Sequence, residues 1–441
     1  MSISLPGVII AAPASGSGKS TVTLGLLRHL RAAGASVVGA KVGPDYIDPA
    51  FHAAASGKMC RNLDGWAMGP ATLAATGRDL EQGASLAICE GVMGLFDGAA
   101  GGGGSTADIA ALTGWPVVLV IDARAQAASA AATLRGFASH RDDVRVAGVI
   151  FNRVASAAHG AILREACATA LPHIVVLGVL PCDARLTLPE RHLGLVPAGE
   201  HGNLDAFLVG AAAIVAEHID IAALTALAQP WELPESTAKA PLPALGGRIA
   251  VAMDGAFAFH YPAVLDGWRC SAEIVPFSPL ADEAPDPTAD AVYLPGGYPE
   301  LHAGRLAGNG VFLGGLRASA ARGAAIYGEC GGYMVLGAGL TDASGVRHAM
   351  AGLLDLETSF AERRLHLGYR KVCLVEAGPL GMVGSVFRGH EFHYSTILDE
   401  GGGHPLFYGE DSKGRELGGV GRRHGAIMGS FVHLIDRGAN G

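Results

Sequence analysis

The sequence predicts two successive α/β domains, each built on a mostly parallel sheet. Three observations carry that reading, and the length of the chain agrees with them. Short apolar runs alternate with helix-length segments up to about residue 220. The chain holds 64 glycines and only 6% aromatics, which suits many tight strand-to-helix turns. A proline-rich break at 229–247 is followed by a fresh apolar strand, and 441 residues exceed one ordinary core.

The runs Val8–Ala12, Val37–Val42, Leu86–Cys89, Val117–Ile121, Val146–Phe151 and Ile174–Leu180 have strand length. Separated by helix-length segments, they read as βαβ units of a doubly wound parallel sheet. Gln229–Gly247 carries four prolines and no apolar period, as an interdomain linker does. The expected domains are therefore 1–228 and 248–441. In the second, Arg248–Asp254, Ala291–Leu294, Ala324–Tyr327 and the late Gly429–Leu434 read as strands. The glycine run Gly101–Gly104 is expected to form a mobile loop beside a site.

Charge and cysteine usage exclude several classes. There are 32 basic and 41 acidic residues, a formal net charge of −9, and no basic patch that would favour nucleic acid. Seven scattered cysteines without a C-x-x-C pair point to a reduced, cytoplasmic protein lacking a structural zinc or disulfide framework. The beginning of the chain lacks a signal-peptide pattern, and apolar runs such as Val117–Ile121 are too short to span a bilayer. No membrane association is expected.

After the first strand comes Ala12-Pro13-Ala14-Ser15-Gly16-Ser17-Gly18-Lys19-Ser20-Thr21, then the amphipathic run Val22–Leu30. This is a P-loop in its proper context. Small residues from Ser15 to Gly18 let backbone N–H groups wrap phosphate, Lys19 reaches the β- and γ-phosphates, and Ser20 ligates Mg²⁺, with Thr21 beside it. The leading glycine of the usual pattern falls on Pro13. Asp45, Asp48, Glu90 and Asp97 follow neighbouring strands, whose carboxyl ends converge on one crevice in a doubly wound sheet. Oxygen ligands there suit Mg²⁺, with Asp45 and Glu90 foremost; Lys41 adds positive charge.

In the second half, Ala325-Ile326-Tyr327-Gly328-Glu329-Cys330-Gly331-Gly332-Tyr333 sets one cysteine on a glycine-flanked corner between strand and helix. That arrangement displays a nucleophile and favours thiolate at a helix N-terminus. Upstream, Pro295-Gly296-Gly297-Tyr298-Pro299-Glu300 follows an apolar strand. Its backbone N–H groups, with that of Gly331, can form an oxyanion hole. His433 is a candidate base for Cys330.

Together, Pro-Gly-Gly-Tyr-Pro-Glu, Gly-Glu-Cys-Gly-Gly-Tyr and the late Phe-Val-His resemble a class I (triad) glutamine amidotransferase domain of flavodoxin-like fold. The P-loop region resembles dethiobiotin synthetase. With Gly43–Pro49 and Glu90–Gly98 added, nearly the whole chain resembles the cobyrinic or hydrogenobyrinic acid a,c-diamide synthase family. The resemblance implies a ligase of cobalamin biosynthesis that uses ATP, Mg²⁺ and glutamine to amidate a corrinoid polycarboxylate, the assembly being left open between monomer and homodimer. It implies that Cys330 attacks glutamine, His433 assists, and Gly297 and Gly331 hold the oxyanion. Lys19, Ser20 and Glu90 match nucleotide and metal positions, and Asn152 matches a base-recognition asparagine. Asp45, Tyr46, Asp48 and Asp97 fall in loops facing the activated carboxylate, and Tyr394 in a segment facing the corrinoid.

One departure concerns the triad. The family's glutamate two residues after the histidine is replaced by Ile435. Either Asp436 or another acid orients His433, or the histidine works as half of a dyad. A metal at His390 and His393 lacks a convincing third ligand. A polyanionic substrate calls for a locally basic cleft, with Arg124, Arg153 and Arg185 as candidates. The rivals are amidation of other corrin side chains, as in cobyric acid synthase, and a P-loop switch ATPase with a degenerate second module. Alanine and glycine richness favours the cobalt-free ring.

Overall fold

The computed structural model describes residues 3–186, 190–191, 194–195, 198–200, 202–233 and 240–438. The chain divides into two compact units. One comprises Met1–Trp66, Leu73–Ala99 and Gly103–Ala238; the other comprises Ala67–Thr72, Ala100–Gly102 and Lys239–Gly441.

The first unit is a doubly wound sheet. Its strands are β1 (Ile3–Ala11), β2 (Val37–Val42), β3 (Arg61–Leu63), β4 (Leu86–Glu90), β5 (Val117–Asp122), β6 (Val146–Val154) and β7 (Val175–Pro181). They lie in the order β3-β2-β4-β1-β5-β6-β7, every neighbouring pair parallel. Helices α1 (Lys19–Ala32), α2 (Asp48–Ser56), α3 (Pro70–Glu81), α4 (Thr106–Thr113), α5 (Ser129–Ser139) and α6 (Ala157–Ala170) alternate with them. A short ladder of β8 (Glu190–Arg191) and β9 (Gly194–Leu195) follows, then α7 (Leu204–His218) and α8 (Ile221–Ala226). Helices cover both faces, so the strands are continuous apolar runs rather than alternating ones. β2 is buried at every position, and Lys41 is its one charged residue.

The expected linker is a strand at its start. Gln229–Leu233 forms β10, which pairs antiparallel with Ile3–Gly7 of β1. Pro230 fits because a proline is tolerated at a sheet edge. Trp231 is fully buried and packs edge-on against Trp115, with centroids 5.5 Å apart. Residues 234–239 lie outside the described residues, while Leu242 and Leu245 are buried.

The second unit begins with β11 (Arg248–Ala252), α9 (Pro262–Arg269), β12 (Glu273–Phe277), β13 (Ala291–Leu294), α10 (Ala303–Gly308), α11 (Gly310–Ala321), β14 (Ala325–Glu329) and α12 (Gly331–Leu336). The remaining strands are β15 (Gly339–Thr341), β16 (Arg347–Ala349), β17 (Leu356–Ser359), β18 (His366–Leu374), β19 (Val386–His393), β20 (Thr396–Glu400), β21 (His404–Asp411), β22 (Glu416–His424), β23 (Ile427–Ser430) and β24 (Val432–Arg437). Five parallel strands run β12-β11-β13-β14-β23. In chain order this is 2-1-3-4-5, the flavodoxin-like arrangement.

The sheet then continues antiparallel through β22, β21, β18, β19 and β24. The two ends of that antiparallel path, β23 and β24, are separated in the chain only by Phe431. The ribbon therefore curls back and returns β24 beside β14. The stretch read as one apolar strand around His433 is thus two strands with a corner between them. A separate sheet runs β16-β15-β17-β20.

Replacing Trp231 by Ala should destabilise the first unit by about 3–5 kcal/mol, the usual cost of emptying a large aromatic site. Urea unfolding of the whole chain followed by tryptophan fluorescence measures it; an unchanged first transition would mean that β10 does not belong to this core.

Candidate active sites

In the first unit the P-loop links β1 to α1. Gly18, the residue before the helix, has φ 99°, and Gly16 has φ 77°, both in the region that favours glycine. A Cβ on Gly18 would also stand 2.1 Å from Asn152 Nδ2. Asn152 donates that Nδ2–H to Ser17 O at 2.9 Å, and Arg153 donates to Gly16 O at 2.7 Å and to Asp122 at 2.6 Å. The loop is therefore braced from the end of β6.

A cleft of about 660 Å³ opens here, lined by Gly16, Gly18, Lys19, Ser20, Thr21, Asp45, Asp48, Asn152 and Arg153 among others. Ser15 is exposed on the loop, and Ser17 turns inward, donating to Ala14 O at 2.8 Å. Tyr46 is buried. Asp97 accepts from Gly94 N at 2.9 Å and acts electrostatically on Lys19 without lining the cleft.

Beneath the cleft lies a buried ionic network. Lys41 Nζ sits 2.5 Å from Asp48 Oδ2, 3.0 Å from Glu90 Oε1 and 3.8 Å from Asp45 Oδ2. Ser20 Oγ donates to Glu90 Oε1 at 2.6 Å, and His52 Nε2 meets Glu90 Oε2 at 2.7 Å. Burial pulls the Lys41 ammonium down, but Asp48, Glu90 and Asp45 outweigh it and hold it charged. Burial likewise pushes the Glu90 carboxyl up, but Lys41, His52 and Ser20 hold it ionised. Asp48 is the carboxyl that moves up, through burial and the neighbouring Asp45 charge.

Lys41 is thus a central part of the site. His52, one helical turn after Asp48 on α2, had no distinguishing mark in the sequence beyond its i+4 spacing. Arg124 and Arg185 are exposed and tied to their own neighbours Asp122 and Asp183. Of the three expected basic residues, Arg153 alone borders the cleft together with the loop.

In the second unit Cys330 stands at the corner between β14 and α12 with φ 48° and ψ −105°, a strained geometry for a residue with a Cβ. Its N–H donates to Ser430 O at 2.8 Å. The flanking glycines are required sterically: a Cβ on Gly332 would lie 1.9 Å from Leu294 O. A Cβ on Gly331 would lie 3.1 Å from Gly297 N, so the two backbones expected to bind an oxyanion are adjacent.

Gly296 joins nucleophile and base. The point where its Cβ would stand is 3.3 Å from Cys330 Cβ and 3.1 Å from His433 Nε2. Both residues are buried. Burial, and then Glu300, pushes the Cys330 thiol up. Burial, with His390 and His393, brings His433 down to about 3, so at neutral pH the imidazole is uncharged.

Asp436 is not the acid beside His433. It accepts from Gly69 N at 2.8 Å and from Arg437 N at 2.8 Å, and also from Thr72. Glu329 Oε2 lies 3.9 Å from His433 Nδ1, and Glu391 also acts on the ring electrostatically. The signal available for Glu329 was a lone acid ending an otherwise uncharged strand. Tyr394 packs half-buried against the apolar core of this unit. His393 is grouped with His366 and Glu391, not with His390, and Glu391 is already paired to Arg370 at 2.6 Å.

Gly18→Ala should weaken ATP binding roughly tenfold or more, equivalent to about 1.4 kcal/mol. Calorimetric titration with ATP and Mg²⁺ checks this, and unchanged affinity would separate the loop from the nucleotide.

Residues 8–196 match the CobQ/CobB/MinD/ParA nucleotide binding domain family, and residues 248–440 match the CobB/CobQ-like glutamine amidotransferase domain family. A Brucella anthropi protein described as hydrogenobyrinate a,c-diamide synthase is 54% identical, over 98% of this chain and 99% of its own length. Proteins so described from Rhizobium meliloti and Rhodobacter capsulatus are 55% and 53% identical, over 98% and 97% of this chain and 99% and 98% of their own lengths. With identity of this order spanning both nucleotide-binding and amidotransferase regions, the chain belongs to the hydrogenobyrinate a,c-diamide synthase family.

Proposed function

We propose that this chain converts the a and c carboxylates of hydrogenobyrinic acid to amides, with ATP as the activating reagent and glutamine as the nitrogen source. The observation that carries the amidotransferase half is the convergence of Cys330, His433 and the Gly297 and Gly331 backbones around Gly296. Relatives named for the cobalt-free hydrogenobyrinate support that ring over cobyrinic acid.

At the second site Cys330 S attacks the glutamine carboxamide while its proton passes to His433 Nε2. The N–H groups of Gly297 and Gly331 stabilise the oxyanion. The C–N bond breaks, His433 returns the proton, and ammonia leaves; water then hydrolyses the thioester to glutamate. At the first site a carboxylate oxygen takes the γ-phosphoryl group of ATP, giving an acyl phosphate and ADP. Ammonia attacks the acyl carbon and phosphate departs. This activation is needed because a carboxylate alone is a poor acylating agent.

Gly16, Gly18 and Lys19 would hold the phosphates, and Asn152 would meet the base. The donor set fits Mg²⁺: Ser20 Oγ and Glu90 are 2.6 Å apart, and Asp45 and Asp48 add carboxylates nearby. When bound, Mg²⁺ would neutralise phosphate charge and polarise the γ-phosphoryl group. Asp45 and Asp48, which line the cleft, are proposed for its carboxylate side, and Asp97 acts there only through Lys19. Among the described residues no helix is long and apolar enough to cross a membrane. Cytoplasm, where ATP, glutamine and reduced thiols coexist, is the proposed location.

Cys330→Ala should abolish glutamine-dependent diamide formation while ammonium salts still support it, read by mass spectrometry of the corrinoid with ATP and Mg²⁺. Equal glutamine-dependent product from the variant would overturn the mechanism. Product from cobyrinic but not hydrogenobyrinic acid would overturn the substrate.

A further inference from the structure

We propose that Glu329, the residue immediately before the nucleophile, is the acid that positions His433, so that the third member of the triad comes from the nucleophile's own strand. This rests on the amidotransferase reading of Cys330 and deepens it.

The two ring nitrogens of His433 face different partners. Nε2 lies 3.1 Å from the point where a Cβ on Gly296 would stand, itself 3.3 Å from Cys330 Cβ, while Nδ1 faces Glu329 Oε2 at 3.9 Å. That division of roles is what a base oriented by an acid requires. The distance is longer than a hydrogen bond, and such contacts tighten when substrate completes the site. The place normally used for the acid holds Ile435, and Asp436 is occupied by Gly69, Thr72 and Arg437.

Glu329 is held as a positioning group must be. Oε1 accepts from Leu434 N at 3.0 Å and from Tyr327 OH at 2.9 Å, and Oε2 accepts from Tyr293 OH at 2.8 Å. The two tyrosine rings stack with centroids 5.9 Å apart. Leu434 directly follows His433, so the backbone carrying the base is tied to the acid. A β-bulge at this point places Ile435 between the pairs Leu434–Gly389 and Asp436–Arg388; bulges near active sites re-aim the chain.

The charge balance gives the acid a task. As His433 takes the thiol proton, it becomes a cation in a site where burial, His390 and His393 all oppose positive charge. Glu391 favours that cation from β19, but its carboxylate is already bonded to Arg370 and His393. Around Cys330, Glu300, Glu391 and Glu329 all oppose the isolated thiolate, so proton transfer within the pair is favoured over ionisation of the thiol alone. Burial raises the Glu329 carboxyl to about 7, against the bonds from Leu434, Tyr293 and Tyr327. The anionic form is the one above that value, so glutaminase activity should rise as pH increases through neutrality.

The test uses the whole chain carrying Glu329→Gln, Glu329→Asp or Asp436→Asn. Glu329→Gln should lower glutaminase kcat roughly 10-fold or more, within the wide range between a metal-bound histidine losing the carboxylate behind it and a triad losing its acid, with KM little changed. It should also flatten the rise in rate through neutral pH. Glu329→Asp should restore part of kcat, Asp436→Asn should retain it, and ammonia-dependent diamide synthesis, which bypasses the thiol, should persist throughout. Full glutaminase activity or an unchanged pH profile in Glu329→Gln would overturn the proposal. Loss of the ammonia-dependent reaction with it would do the same, by showing a structural role. A parallel Cys330→Ala variant that retains glutaminase would instead remove the amidotransferase reading itself.

Discussion

The second unit is organised around one unfavourable piece of backbone. Cys330 is held at φ 48°, ψ −105°, a conformation that costs on the order of 1–3 kcal/mol for a residue with a Cβ. It persists because its surroundings leave no alternative. The N–H is bonded to Ser430 on β23, and the carbonyls of Leu294 and Ala256 press against Gly332 and Gly297. The corner therefore depends on the parallel order β13-β14-β23, since each neighbouring strand supplies one wall. The same strands deliver Tyr293 and Tyr327 to Glu329, so the strained corner and the acid beside His433 share one support.

The first unit meets a different difficulty, the burial of charge. Lys41, Glu90 and His52 are almost wholly removed from water, and an unpaired charge there would be costly. Their mutual contacts offset that cost and fix Glu90 against Ser20 at the mouth of the P-loop. Carboxylates outnumber ammonium groups around this point, with Asp45, Asp48 and Glu90 against Lys19 and Lys41. A site so arranged would be completed by a cation and a phosphate together. Burial keeps the Cys330 and His433 pair neutral in one unit, whereas in the other the partners of Lys41 and Glu90 hold them ionic against it.

The sequence made the parallel sheets legible because strands covered on both faces are continuous apolar runs, as in Val117–Asp122. The P-loop and the Cys330 corner were legible because their glycines answer local steric demands. The antiparallel extension was not. Glu416–His424 reads ELGGVGRRH and is mostly exposed, so it lacks both alternation and an apolar run. β10 was hidden by Pro230 and the prolines that follow it in the sequence, which signal a linker unless an edge position is already known. Glu329 was hidden for another reason. Its relation to His433 arises from β24 curling back beside β14, and the two residues are over a hundred positions apart in the chain.

The central claim is that the thiol at the strained corner supplies the nitrogen that the nucleotide site installs. The most direct measurement is diamide synthesis from glutamine labelled isotopically at its amide nitrogen, run with an equal concentration of unlabelled ammonium and analysed by mass spectrometry. Label is expected in the new amides formed by the wild-type chain and in none of those formed by Cys330→Ala. Unlabelled amides from the wild-type chain, with ATP consumed and product formed, would contradict it.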